Sequence, residues 1–193
     1  MTDDERIEAW RSCGDGAALQ GLLEPYEAGI FAFMMRMLAQ RQDAEDATQL
    51  TFSKAVTAIG EGRYQARGSF KSWLFQIACN EARGLLRKRK RRLEIGLAFE
   101  SGNCGSDKIR HADLPDHKSL TPMESLVRGE RAAALRSAVE RLPQAEREVV
   151  SLRLQLDCTF AEIAGITATP LGTVLGRMRN ATRRLRRDLE KQQ

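Results

Sequence analysis

The sequence predicts an all-α protein: two small helical domains joined by a flexible linker, the second containing a helix-turn-helix. Three observations predict it. Apolar residues recur at steps of three and four in both halves, and no stretch alternates with the period of two that strands require. Turn signals cluster inside each half at a few short sites that punctuate helices. One segment, Gly96 to about Thr121, loses periodicity altogether and contains ESGNCGSD and HADLPD, which reads as a linker. The expected division is therefore residues 1–95, a linker over 96–121, and residues 122–193.

Within the first block, Leu22 to Ala39 is a strongly apolar helix carrying Phe31, Phe33, Met34, Met35, Met37 and Leu38. Asp43 then reads as the cap of a helix whose N3 residue is Asp46. That helix is expected to bury Phe52, Ala55, Val56 and Ile59, and Gly60 and Gly62 stop it. Phe70, Trp73, Leu74 and Ile77 open a third helix of the same period, which runs into RKRKRR. In the second block, Leu126 to Leu142 is amphipathic, and Pro143 suits the first turn of a helix ending near Leu156. Thr159 and Glu162 form a capping box ahead of Phe160 to Ala164. After a short turn, Thr169 and Pro170 start a last helix with Leu171, Val174 and Met178 facing inward and Leu175 beside them. Two helices joined by a tight turn, the second basic outside, make a helix-turn-helix.

Hydrophobic residues make up 42% and charged residues 30%, which fits a folded chain and is too apolar for disorder. The balance of 31 basic to 26 acidic residues is mild, so its distribution matters more. Arg83 to Arg92 and Arg177 to Arg187 hold much of the excess, as a phosphate-binding surface or as solvated helix ends. Cys13, Cys79, Cys104 and Cys158 lie far apart with no CxxC pair, which fits a reduced, cytoplasmic setting. Cys79 and Cys158 read as small core residues. Cys104, His111 and His117 lack the close pairing of a metal site, so no metal and no cofactor are expected. The acidic start MTDDERIEAW is no signal peptide, and no apolar run reaches membrane-spanning length.

Three surfaces have chemistry to offer. On the last helix, Thr173, Arg177, Asn180 and Arg184 form an outward stripe flanked by Arg179 and Arg183. Arginine reads guanine and asparagine reads adenine in the major groove, while other cations neutralise phosphate. On the third helix, Trp73, Gln76, Asn80, Arg83 and Arg87 share a stripe, and the preceding loop adds Tyr64, Arg67, Phe70 and Lys71. A ring, amides and cations in a row suit single-stranded DNA. Phe70 reads as core, and Trp73 reads equally as core or as a stacking platform. The acidic stripe of Asp43, Glu45, Asp46 and Gln49 fits either a capped, solvated helix or a protein partner.

DAEDATQLTF, FKSWLFQIACNEARGLLRKRKRR, LPQAEREVVSLR and TFAEIAGITATPLGTVLGRMRNATRRLR occur in this order. Together they resemble bacterial RNA polymerase sigma factors of the extracytoplasmic-function subclass, over about Leu22 to Arg92 and Leu135 to Leu189. The resemblance implies a factor, and no enzyme, that binds core RNA polymerase and directs promoter recognition and DNA melting. It implies that Asp43, Glu45, Asp46 and Gln49 dock on the beta-prime clamp. It implies that Arg67, Lys71, Trp73, Asn80, Arg83 and Arg87 bind the minus-ten element. It assigns Thr173, Arg177, Arg179, Asn180, Arg183 and Arg184 to the minus-thirty-five element, beside a beta-flap contact. An anti-sigma partner is also implied. The chain departs from the family pattern at Leu50, Ala168, Leu175, Gly176 and Asn180. Rival readings are a helix-turn-helix operator binder, a nucleic-acid enzyme, and a sigma-like interaction module without promoter activity.

Overall fold

The computed structural model describes residues 1–65, 69–96 and 133–191, and all regular structure among these is helical. The first block comprises α1 (Asp3–Cys13), α2 (Gly16–Leu38), α3 (Arg41–Gly60) and α4 (Phe70–Gly96). The second comprises α5, described over residues 133–140, α6 (Gln144–Leu156), α7 (Phe160–Thr167) and α8 (Leu171–Glu190). Most of the expected linker, the start of the helix expected from Leu126, and Cys104, His111, His117 and Arg67 lie outside the described residues.

Caps set the first boundaries. The Thr2 hydroxyl accepts from the Glu5 N–H, and Glu5 accepts from the Thr2 N–H at 2.7 Å. Gly14, at φ +65°, ends α1, and Asp15 at once caps α2 by accepting from Ala17 and Ala18 N–H. The Asp43 cap is not observed. Ala39 turns the chain through a left-handed φ of 61° directly after α2, so α3 starts at Arg41 with an uncapped Gln40 before it. Asp43 lies inside the first turn, where its charge favours the helix N-terminus.

The buried stripe of α3 is also rotated from expectation. Ala44, Ala47, Thr48, Thr51, Ala55, Ala58 and Ile59 are buried, whereas Phe52 and Val56 are only partly so. Small side chains let α3 lie close to its neighbours. The buried Thr48 and Thr51 hydroxyls donate to the Ala44 and Ala47 carbonyls, both at 2.7 Å, which removes their desolvation cost. α4 buries Phe70, Leu74, Phe75, Ala78, Cys79 and Ala82, with Phe75 edge-on to Phe33 at 6.3 Å.

One core runs through both blocks. Val149, Leu152, Leu156, Cys158, Ile163, Ile166 and Val174 of the second block join Leu22, Ile30, Phe33, Leu74 and Phe75 of the first. Gly29 permits a close approach of α2 to Leu156 of α6, since a Cβ there would sit 3.1 Å from Leu156 Cδ2. Arg147 of α6 donates to the Arg36 and Met37 carbonyls at the end of α2, supplying partners to carbonyls that a helix C-terminus leaves open. A smaller cluster of Val139, Leu142, Val150 and Ala181 ties α5 and α6 to α8.

The helix-turn-helix has its expected capping box, with Thr159 Oγ1 accepting from Glu162 N–H and Glu162 Oε2 accepting from Thr159 N–H at 2.7 Å. Ala168 forms the turn at φ 50°, a left-handed conformation that costs a non-glycine residue about 1 kcal/mol. Pro143 and Pro170 stand at the N-cap positions of α6 and α8, one residue before the first turn, both with extended ψ. Leu171 does not face inward. It is 46% exposed, and the apolar stripe of α8 is Val174, Met178, Ala181 and Leu185.

Candidate nucleic-acid interface

On α3 the structure separates the acidic residues. Asp46 and Gln49 are exposed at the centre of the outward face. Asp43 and Glu45, about 200° apart on a helix, lie partly buried on opposite flanks. Arg41 Nε donates to Glu45 Oε1 at 2.6 Å and Gln42 Nε2 to Asp46 Oδ1 at 3.2 Å, so both acids have a local partner one turn back. Leu50, 42% exposed, borders Gln49 and adds apolar area to this face.

The α4 stripe divides by its distance from the second block. Gln76, Asn80 and Arg87 are exposed. Trp73 is half-buried in an aromatic group, 4.7 Å from Tyr64 and 5.6 Å from Phe70, ring centre to ring centre. Phe70 also meets Tyr26 at 5.6 Å, and Phe70 is core, as expected from the sequence. The Tyr26 hydroxyl donates to Asp3, and burial together with the Asp3 charge pushes its pKa up to about 12. Each ring therefore has fixed neighbours, and Trp73 keeps one side towards solvent.

Lys71 and Arg83 face the seam. Lys71 Nζ donates to the Leu156 carbonyl at 2.5 Å, the open C-terminus of α6. Arg83 Nη2 donates to Glu148 Oε2 at 2.9 Å and to the Thr167 carbonyl at 3.3 Å. Burial pulls the Arg83 guanidinium down, but the bond and attraction to Glu148 outweigh it, and the net shift is upward. Glu148 is 2% exposed. Burial first, then the Glu148 carboxylate, pushes the Cys79 thiol well above its ordinary range. Cys79 and Cys158 are thus small, protonated core residues. Among the described residues, Glu148 Oε1 and Ser151 Oγ are buried on α6, and Glu148 also meets the Cys79 thiol.

α8 presents Thr173, Arg179, Asn180 and Arg183 to solvent. Arg177 is half-buried and donates to Thr169 Oγ1 at 3.5 Å across the turn. Arg184 pairs with Glu146 at 3.2 Å, without the alignment of a full hydrogen bond. An open groove of about 540 Å³ runs beside this helix, with a floor of Phe160, Leu175 and Met178 and a rim of Arg179, Arg183 and Arg186. Arg153 covers the Phe160 ring at 5.3 Å. A helix with this exposed face fits a major groove.

Glu148, Arg147 and Arg11 were not singled out from the sequence. Glu148 had a readable signal: an acid four residues before Leu152 stands on the buried stripe of α6 and requires a cationic partner. Arg11 had none, because its partners are backbone carbonyls.

Residues 22–92 match the family described as Sigma-70 region 2, and residues 132–185 match Sigma-70, region 4. The chain is an extracytoplasmic-function member of the sigma-70 family. This sigma factor is 29% identical over 172 residues to the sigma-H factor of Pseudomonas aeruginosa, covering 86% of this chain and 82% of the relative. It is 25% identical to the sigma factor SigW of Bacillus subtilis, covering 91% of each. Its fold matches CnrH, solved in complex with the cytosolic domain of CnrY, at TM-score 0.66 and 20% identity over all of both chains. It also matches RpoE of Bartonella quintana, solved with the anti-sigma factor NepR, at TM-score 0.66 and 22% identity, covering 89% and 96%. As a sigma factor it is a promoter-recognition subunit that directs transcription initiation, a role that implies core RNA polymerase and DNA as partners. Among the described residues, no helix is long and apolar enough to cross a membrane, and no group of three or more His, Cys, Asp or Glu is placed to hold a metal ion.

Proposed function

We propose that this sigma factor acts in the cytoplasm, without catalytic activity of its own, through three surfaces. Asp46 and Gln49, flanked by Asp43 and Glu45, dock on the beta-prime clamp of core polymerase. Trp73, Asn80 and Arg87, with Arg67, Lys71 and Arg83, hold the unpaired minus-ten strand. Thr173, Arg177, Arg179, Asn180, Arg183 and Arg184 engage the minus-thirty-five duplex, and the second domain, residues 122–193, also meets the beta flap. The observation that carries this reading is the pairing of two exposed basic helix faces, one beside a half-exposed ring, with a separate acidic face. DNA capture by Arg83 and Lys71 requires the two blocks to separate, since both cations are now bonded across the seam. An anti-sigma protein that binds the closed form is the expected regulator.

The test is holoenzyme assembly followed by strand opening on a duplex promoter. The double variant Asp46→Ala, Gln49→Ala is expected to bind core about tenfold more weakly with an unchanged fold. Unchanged core affinity removes α3 as the docking face, and a wild-type holoenzyme that opens no duplex removes the whole reading.

A further inference from the structure

α1 lies ahead of the stretch that matches region 2, which begins at residue 22, yet it is bonded to the loop between α3 and α4. It docks through buried Ile7 and half-buried Trp10, and its last turn carries Arg11. Arg11 Nε donates to the Ile59 carbonyl at 3.0 Å, and Arg11 Nη2 donates to the Tyr64 carbonyl at 3.1 Å. Those two carbonyls bracket the turn that leaves α3. Gly62 sits within that turn at φ +70°, and its missing Cβ would stand 3.9 Å from Arg11 Nη2. The turn also uses its own backbone, with Gly62 N–H donating to Ile59 and both Arg63 and Tyr64 N–H donating to Ala58. Arg11 is therefore a two-point clasp from outside the turn, a geometry that suits the rigid fork of a guanidinium.

The clasp leads directly to Trp73. Tyr64 is 5% exposed, and its ring packs 4.7 Å from Trp73 and 5.7 Å from Phe70. The other end of α1 reaches the same rings, because Asp3 accepts from Tyr26, whose ring meets Phe70. We propose that Arg11 is a positioning residue for single-stranded DNA: it fixes the Tyr64 backbone, and through the Tyr64 ring it sets the tilt and exposure of Trp73. Arg11 itself does not touch DNA. This rests on the assignment of Trp73 to the minus-ten strand, so the experiment separates the two.

Holoenzyme is prepared with Arg11→Met, which keeps the aliphatic stem, with Arg11→Lys, which keeps the charge and at most one of the two bonds, and with Trp73→Ala. Affinity for a single-stranded minus-ten oligonucleotide is measured across a salt series, alongside affinity for core. Arg11→Met is expected to weaken oligonucleotide binding by roughly tenfold, less than two lost charged hydrogen bonds would cost directly, because both act on DNA only through Tyr64 and Trp73. Arg11→Lys is expected to fall between Met and wild type, with core affinity and salt slope unchanged in both. In a Trp10→Phe background the Trp73 emission of the free protein shifts in both Arg11 variants. A salt slope reduced by about one in Arg11→Met, with full affinity in Arg11→Lys, makes Arg11 a phosphate contact and overturns the proposal. Equal losses in core and oligonucleotide affinity overturn it as well, by showing a general folding role. Unchanged oligonucleotide affinity in both Arg11 variants while Trp73→Ala binds weakly sinks the clasp alone. If Trp73→Ala also binds normally, the minus-ten assignment falls and the clasp with it.

Discussion

α4 and α8 are both long helices with an apolar stripe and a run of arginines, and they place those arginines in different surroundings. On α4, Lys71 and Arg83 reach across the seam to a carbonyl and a buried carboxylate of the other block. On α8, Arg179 and Arg183 stand in solvent, and Arg184, itself half exposed, meets the largely buried Glu146 at 3.2 Å. The same residue type thus serves as a seam bond in one helix and as open charge in the other. What separates them is the surroundings: Arg83 meets Glu148, which is 2% exposed and cannot go without a cation, whereas Arg179 and Arg183 face water. A basic run therefore reports a phosphate surface only after its intramolecular partners are known.

The largest test of this contrast is Glu148→Ala. Removing a carboxylate buried at the seam and leaving Arg83 half-buried is expected to cost about 3 kcal/mol, the low end for a broken buried pair because Arg83 still reaches water. The matching change on α8, Arg184→Ala, removes a half-exposed cation from the largely buried Glu146 and is expected to cost about 1 kcal/mol, between an exposed and a buried pair. Thermal unfolding of the free protein compares them, and equal losses would erase the distinction between the two helices. Small-angle scattering adds a second reading, since Glu148→Ala is expected to enlarge the free protein and Arg184→Ala is not.

A smaller effect of opposite sign is expected on α8 itself. Gly176 lies inside this helix with nothing within 4 Å of the Cβ it lacks. Gly176→Ala is therefore expected to stabilise the protein by about 1 kcal/mol. A lower thermal midpoint in that variant would show that the recognition helix is packed more tightly there than its surroundings indicate. The smallest effect concerns pH. The Thr159 backbone N–H, then its hydroxyl, hold the Glu162 carboxyl below the ordinary carboxylate range. A depressed folded-state pKa stabilises above the unfolded value and is lost as pH falls through the folded one. Acid titration of stability is thus expected to be shallower in Glu162→Gln than in wild type over that range, and identical curves would remove the capping box as an acid-sensitive joint.

Much of the fold was legible because helix signals are local. The capping box at Thr159 and Glu162, the stop near Gly60 and Gly62, and the stripe of Phe70, Trp73, Leu74 and Ile77, buried at Phe70 and Leu74 and partly buried at the other two, follow from spacing within one turn or two. Boundaries shifted where a neighbouring helix left too little chain, as at Asp43, which falls inside α3 because α2 turns at Ala39. The side of a stripe shifted where packing favoured small residues, as when α3 buried Ala47 and Thr51 in place of Phe52 and Val56.

The order of residues by itself determined the helices, their caps, the turn before the last helix and the chemistry along each face, since these depend on groups within a few positions of one another. Tertiary structure alone decided that Arg83 meets Glu148 and Lys71 meets the end of α6. It alone decided that Arg11 clasps Ile59 and Tyr64. These partners lie some fifty to eighty-five positions apart, and several are backbone carbonyls, which every residue carries alike. No local pattern distinguishes one carbonyl from another, so only the packing of helices brings the right one within reach.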